Sequence, residues 1–207
     1  MADMSLASLV ADLKASLFDA ASVFIGEDDA DFKRFLAQAL PDLQWKRPLT
    51  KLAEVTLVAG TASYAVAEAD FVALKMDLWR DVGKLPRPWE PGYPGALPRI
   101  TAQQGATGWE LVFETAPTAA MLAWLGSTCR FYYFAQHAIG EQAADTTVAE
   151  ADRGLLLLRA QAEAMLALAV RNAGKPVQLR DGLSGTPRNS TPAALHQVLL
   201  ALFMEAR

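Results

Sequence analysis

The chain has 207 residues, of which 52% are hydrophobic and 20% are charged. This composition excludes a disordered chain and is sufficient for one domain, or one domain with an inserted lobe, without disulfides or structural metals. The formal net charge is −4 and no long run of lysine and arginine occurs, so the composition does not indicate a nucleic-acid-binding protein.

Two amphipathic helices are predicted at the start of the chain. Apolar residues recur at spacings of three and four over residues 6–24, which is typical of one helix face. After Gly26, a second helix is predicted to start near Asp28, because acidic side chains favour a helix N-terminus. Pro41 is predicted either to stop this helix or to start a further turn. Its buried face would consist of Phe32, Phe35, Leu36 and Leu40.

The central part of the chain is predicted to be a small antiparallel β lobe. Residues 54–58 and 63–66 read as a strand and a returning strand on either side of a turn. Further strands are predicted at 71–79 (with a helical turn as the alternative), 109–113, 121–124 and 128–133. Five prolines in residues 84–99 exclude helix and central strand, so an extended loop is predicted there.

Two helices are predicted at the end of the chain. The first is expected to start near Val148, where Thr147 and Glu150 fit a capping box, and to end at Gly174. It is apolar around most of its circumference, which predicts either a central core helix or a helix packed against a neighbouring subunit. A polar loop over residues 175–191 then leads to a last helix, with Thr191 as its cap and Pro192 as its first residue.

The predicted fold class is therefore α+β. Residues 1–48 and 140–207 would form a helical base from two N-terminal and two C-terminal helices. Residues 49–139 would form an inserted small antiparallel β lobe that carries the Pro-rich loop.

No metal site, cofactor site or catalytic residue is predicted. His137 and His196 are far apart in sequence and neither belongs to a metal-ligand motif. Cys129 and His137 would lie about 26 Å apart if one strand held both, so Cys129 is interpreted as a packing residue. An enzyme with a non-obvious site would have Asp70, His137 and Glu141 as its best candidates, but no motif brings them together.

The sequence predicts a protein made in a reducing compartment and without a membrane segment. With one cysteine, an intramolecular disulfide is impossible. The N-terminus lacks the basic start and apolar run of a signal peptide, and the most apolar stretch, residues 155–170, is too short and too polar for a bilayer.

The Pro-rich loop places two aromatic residues, Trp89 and Tyr93, between prolines. Aromatic side chains on a stiff extended segment are good contact anchors, because little entropy is lost on binding. The alternative is that they simply cover the β lobe, and the sequence favours neither interpretation.

Several short sequence segments resemble those of tailed-bacteriophage head-to-tail connector (adaptor) proteins. In this sequence, two predicted helices precede a β segment that contains a glycine, an aromatic residue and an Asp-Phe pair. A second β segment is followed by Ala-Pro. Ala67 and Glu68 stand where those proteins often carry a proline. The resemblance covers about residues 5–135, and the C-terminal helices match only in layout. The segments are Val55-Thr-Leu-Val-Ala-Gly-Thr-Ala-Ser-Tyr64, Ala69-Asp-Phe71, Leu111-Val-Phe113 and Ala116-Pro117.

The resemblance implies a non-enzymatic structural virion protein, made in the host cytoplasm and located at the head-tail interface. Its copies, usually twelve, would form a ring beneath the portal protein and also contact tail or other connector proteins. DNA would pass through the channel without specific binding. The alternatives are another tail-completion or terminator component, and a peptide-binding module that uses Trp89 and Tyr93 as exposed anchors.

A connector ring further implies two sets of contact residues in the C-terminal part of the chain. The candidates for the subunit interface are Leu155, Leu158, Arg159, Glu163 and Met165. The candidates for contact with the portal protein are Arg180, Arg188, Leu199 and Phe203.

Overall fold

The computed structural model describes residues 3–79, 86–173 and 191–206. The chain divides into two units, a helical unit of Met1–Arg47 with His137–Arg207 and a β unit of Pro48–Gln136. Within the described residues there are five α-helices and two three-stranded antiparallel sheets. The predicted α+β fold class is thereby confirmed.

The first two helices are α1, Leu6–Leu17, and α2, Ala30–Lys46. The α-helix predicted to run over residues 6–24 ends earlier, because Phe18 has a φ of 50° and a 3-10 helix, Phe18–Val23, follows. Of the two outcomes predicted for Pro41, the structure has the further helical turn, since α2 continues through Pro41 to Lys46. Pro41 removes one backbone donor, but the next turn buries Leu43 completely, which holds the helix together.

Helix α4, Arg153–Asn172, lies at the centre of the helical unit and packs against α1, α2 and α5, Pro192–Glu205. The capping box at Thr147 was a wrong prediction, because the Thr147 hydroxyl binds the amide of Ala138 instead and α4 starts at Arg153. The predicted C-cap Gly174 lies outside the described residues. The predicted cap of α5 is confirmed, since the Thr191 hydroxyl accepts a hydrogen bond from the amide of Ala194.

The β unit contains two sheets, with strand orders β1-β6-β3 and β2-β5-β4. The strands are β1 Leu49–Thr56, β2 Ser63–Ala65, β3 Phe71–Asp77, β4 Ile100–Gln104, β5 Trp109–Phe113 and β6 Thr128–Ala135. A short helix, α3, spans Ala119–Leu125. Residues 86–99 form no helix or strand, in agreement with the predicted loop, whereas residues 84 and 85 lie outside the described part of the chain.

Two sequence predictions in this unit were wrong. The strand predicted at 121–124 is α3, whose N-terminus is capped by the Thr118 hydroxyl. The first two strands are not paired with each other, because β1 pairs with β6 and β2 with β5. The turn between them is present, and the Tyr64 hydroxyl stabilises it by bonds to the backbone of Val58 and Thr61. Strand β4 was not predicted.

Aromatic side chains form the core of the β unit. Phe71 stacks on Tyr133 with ring centroids 5.3 Å apart, and Trp79 meets Phe113 edge to face at 5.7 Å. The Trp79 indole donates to the carbonyl of Gly126, which satisfies its polar atom inside the core.

Candidate interaction surfaces

Helix α5 exposes a row of apolar side chains. Leu195, Val198 and Leu202 are 42%, 54% and 50% exposed. Their spacings of three and four place them on one face of the helix, here called the α5 stripe. No charged residue occurs from Pro192 to Met204, so no charged side chain of this segment lies beside the stripe. Exposed apolar rows of this kind mark surfaces that bind other macromolecules.

Other side chains of α5, beside the stripe, attach the helix to the helical unit. Phe203 is buried, and the Lys46 ammonium lies 5.3 Å above its ring. Lys46 also donates to the carbonyls of Met204 and Ala206, at 2.8 and 2.7 Å, where a cation offsets the negative end of the helix dipole. Nearer the start of α5, His196 Nδ1 donates to the carbonyl of Ala162 at 2.8 Å. These contacts fix the direction in which the α5 stripe faces.

The interface candidates on α4 lie mainly inside the helical unit. Met165 is buried, and Leu155 packs against the core cluster. Arg159 is only 9% exposed and is held by Asp42 on α2 and by Glu163. Leu158 is half-buried. The large apolar side chains that α4 leaves accessible are instead Leu166 and Val170.

Two of the portal-contact candidates also pack inside the helical unit. Leu199 packs against the core of the helical unit, and Phe203 is 2% exposed. Arg180 and Arg188 lie outside the described residues. The α5 stripe was missed by sequence reasoning, because helical spacing shows that a helix has an apolar face but not which apolar side chains its own protein covers.

The Pro-rich loop presents its two anchors differently. Trp89 is 74% exposed, and the Arg87 guanidinium lies over its ring, 5.5 Å from the centroid. The Glu90 carboxylate accepts a hydrogen bond from the amide of Arg87, which closes a turn around Trp89. Tyr93 is half-buried. Trp89 is therefore the more accessible of the two anchors.

The residues considered for catalysis have structural partners. His137 is buried, with Nε2 donating to the carbonyl of Arg47 at 2.7 Å and Nδ1 lying 3.2 Å from the Thr147 hydroxyl. Burial, together with the charge of Asp77, raises the pKa of the Cys129 thiol to about 12, so at neutral pH it is protonated and not nucleophilic. The interpretation of Cys129 as a buried packing residue agrees with this environment.

Glu141 lies in a groove of about 290 Å³ beside α1. Two lysines line the groove and each faces an aspartate, Lys14 with Asp29 at 2.5 Å and Lys33 with Asp28 at 2.6 Å. The hydrogen bond from Lys33 lowers the pKa of Asp28, which keeps that carboxylate ionised. Because these charges are already paired, the groove offers little electrostatic attraction to a ligand.

Asp70 joins two strands of the β1-β6-β3 sheet. Its carboxylate accepts from Lys51 at 2.6 Å and from the Tyr133 hydroxyl at 3.0 Å. Partial burial acts to raise the pKa of Asp70, but the two hydrogen bonds and the Lys51 charge together lower it. For Tyr133, burial and then the Asp70 carboxylate raise the pKa to about 12.

We expect Asp70→Asn to lower the free energy of unfolding by about 1 kcal/mol at pH 7, because it weakens two charge-assisted hydrogen bonds in a partly exposed site. Because the pKa of Asp70 is lower in the folded state than in the unfolded state, the ionised carboxylate stabilises the fold above the unfolded-state pKa near 3.8. This stabilisation is lost as the pH falls through the folded-state pKa. The difference between wild type and variant should therefore shrink below about pH 4. Urea unfolding at pH 7 and pH 3 measures this, with the exposed Glu114→Gln as the control. An unchanged difference at pH 3 would contradict the assignment.

Among the described residues, no group of three or more His, Cys, Asp or Glu side chains is arranged to hold a metal ion. Within the same part of the chain, no helix has both the length and the apolar character needed to cross a bilayer.

The chain matches no protein-family model and no curated protein. Two solved structures are similar to it at 13% sequence identity. One is from the neck of an empty GTA particle treated with C6 symmetry, with a TM-score of 0.28 over 92% of this chain and 87% of that chain. The other is from the neck of a native GTA particle treated with C12 symmetry, with a TM-score of 0.25 over 92% and 86%.

Proposed function

We propose that the protein is a structural component of a tailed-phage particle, a head-to-tail connector adaptor whose copies form a ring of twelve between the portal and the tail. The α5 stripe carries this proposal. Three half-exposed apolar side chains, in a helical segment with no charged residue from Pro192 to Met204, gain stability when another protein covers them, by about 1 kcal/mol for each side chain. The sequence segments that resemble connector proteins support portal and tail proteins as the partners.

We assign the contact with the portal protein to the α5 stripe. Leu199 and Phe203 face the helical unit, so the portal would meet Leu195, Val198 and Leu202 instead. The β unit is then available to tail or other connector proteins. The net charge of −4 supports a channel through which DNA passes without specific binding.

Val198→Glu is expected to prevent incorporation of the protein into particles. A carboxylate at the centre of the α5 stripe would have to be buried without a partner, which costs several kcal/mol in a closed interface. When the phage gene for this protein is deleted, complementation with the variant should yield heads without tails. Electron microscopy counts tailed and tailless particles. Mass spectrometry of purified wild-type particles should give a copy number close to that of the portal protein.

The matched control is Gln197→Glu, which places the same charge on the neighbouring exposed position outside the stripe. It should support assembly like the wild type, and both variants should unfold at the wild-type temperature. Normal tailed particles with Val198→Glu would refute the role of the stripe, and absence of the wild-type protein from particles would refute the structural function.

Two alternatives make different predictions in the same experiment. A tail-completion or terminator component would co-purify with tails and not with the portal. A peptide-binding module is favoured by the exposure of Trp89, and it would lose its activity in Trp89→Ala while Val198→Glu had no effect.

A further inference from the structure

The connection between α1 and α2 concentrates backbone strain. Of the described residues other than glycine, only Phe18, Asp28 and Asp29 have a positive φ, at 50°, 50° and 59°. All three lie in residues 18–29, which join the two helices. Phe18 also has a ψ of −131°, a combination that a bulky side chain rarely adopts. Strained residues of this kind persist only where surrounding contacts hold them.

The sequence favours a different structure for the first half of this connection. Apolar residues recur at helical spacings from Leu6 to Ala21, which predicts one helix that passes through Phe18. In the structure, residues 18–23 form a 3-10 helix, which is longer than the three or four residues usual for that geometry. It contains no fully buried side chain, and Phe18 is 82% exposed. Burial within this segment therefore offsets little of the strain at Phe18.

Contacts at the end of the 3-10 helix hold the connection in its bent conformation. The Phe24 ring packs edge to face on Phe32 and Phe35 of α2, with ring centroids 5.8 and 5.0 Å apart. The Arg171 side chain, from α4, donates to the carbonyl of Val23 at 2.7 Å. These contacts fasten the connection to two other helices and oppose the strain at its start.

A continuous α1 would break these contacts without moving α2. The Lys14 ammonium lies 5.3 Å from the centroid of the Phe32 ring, which locates that ring beside α1. In a continuous helix, Phe24 would lie about 15 Å beyond Lys14 along the helix axis, and so away from Phe32. Residues 24–29 could still return the chain to Ala30, because six extended residues span about 20 Å.

We propose that the connection between α1 and α2 is a conformational switch with two states. In the bent state described above, Phe24 lies against α2 and Phe18 is strained. In the extended state, α1 continues to Val23, the strain at Phe18 is relieved, and Phe24 is released from α2. The two states are close in free energy, because relief of the strain opposes the loss of the Phe24 and Arg171 contacts.

The switch controls the exposure of two aromatic rings on α2. Phe32 and Phe35 are 3% and 1% exposed in the bent state, in which Phe24 covers them. The extended state removes this cover, so the chain itself decides whether this apolar surface is accessible. This inference does not rest on the proposed function, because it concerns α1 and α2 and not the α5 stripe.

NMR relaxation dispersion of the full chain tests the switch, because it detects minor states that exchange within microseconds to milliseconds. In the wild type, the amides of residues 18–29 should exchange with an extended state populated at about 1–10%, whereas those of α4 should not. Phe18→Gly should suppress this exchange, because glycine adopts a φ of 50° without strain and disfavours a helix interior. Together these effects lower the extended population roughly ten-fold.

Two variants should shift the equilibrium in the opposite direction. Phe24→Ala removes the ring that lies against α2, and Arg171→Ala removes the donor to the Val23 carbonyl. Each should raise the extended population, by roughly ten-fold for Phe24→Ala, and should move the Cα chemical shifts of residues 18–23 towards α-helical values. The matched control is Ile25→Ala, since Ile25 belongs to the same connection and is 81% exposed. It should leave both the exchange and the chemical shifts unchanged.

The switch is overturned if residues 18–29 of the wild type show no exchange, if Phe18→Gly leaves the exchange unchanged, or if both opposing variants keep the chemical shifts of the bent state. Val198→Glu should leave the exchange unchanged, which separates the switch from the proposed contact of the α5 stripe. Thermal unfolding checks that each variant is folded. If Phe24→Ala is not, the exposed Arg171→Ala decides the outcome, because it leaves the aromatic cluster intact.

Discussion

Arg159→Ala is expected to lower the free energy of unfolding of the helical unit by about 3 kcal/mol. Arg159 is 9% exposed, and its guanidinium binds Asp42 at 2.6 Å and Glu163 at 2.5 Å. The Glu163 side chain is only 15% exposed, so removal of Arg159 leaves a nearly buried carboxylate without its cation. Asp42 is 45% exposed and water replaces part of its lost partner, which places the effect at the lower end of the range for broken buried ion pairs.

The control for this prediction is the double variant Arg159→Met with Glu163→Leu. It removes both charges and keeps apolar volume, so we expect it to recover most of the lost stability, whereas Arg159→Met alone should not. Urea unfolding followed by circular dichroism measures all three variants. A loss below about 1 kcal/mol in Arg159→Ala, combined with altered oligomerisation, would instead favour a subunit-interface role for Arg159.

Phe203→Ala should cost about 3–4 kcal/mol and should release α5 from the helical unit. The ring is 2% exposed and lies beneath the Lys46 ammonium, so its loss creates a cavity and removes a cation–π contact at once. Hydrogen exchange of the α5 amides should accelerate more than that of the α4 amides, because α5 detaches before the unit unfolds.

Leu202→Ala is the matched comparison, since Leu202 is the preceding residue of the same helix and is 50% exposed. Its effect on the free energy of unfolding should stay below about 1 kcal/mol. If the two variants were equally stable, Phe203 would not be the anchor of α5, and the direction of the α5 stripe would have to be reassigned.

The two predictions concern residues that the resemblance to connector proteins suggested as contacts with other proteins. Arg159 was a candidate because ring formation would explain the largely apolar helix that carries it, and Phe203 because the resemblance implies that the last helix contacts the portal. In the folded chain each has a specific intramolecular partner, Asp42 or Lys46, from α2. The accessible surface of α5 is instead formed by neighbouring residues such as Val198.

The sequence by itself determined the fold class, most element positions and the cap of α5. Spacings of three and four predicted the helices, and alternation together with turn residues predicted strand 109–113 and the turn that follows β1. These features depend on interactions between residues close in the chain, such as the hydrogen bond from the Ala194 amide to the Thr191 hydroxyl. The density of prolines excluded regular structure in residues 86–99 for the same local reason.

Only the tertiary structure decided what distant residues do to one another. Helix α2 passes through Pro41 because the burial of Leu43 compensates for one lost hydrogen bond. Residues 121–124 are helical although their apolar run also fits a strand, since local propensity is weak over so few residues. Which apolar side chains remain exposed depends on partners far away in sequence. Helical periodicity therefore could not separate Val198 from Phe203, and no local pattern could pair Leu52 and Met76 with Tyr132 on neighbouring strands.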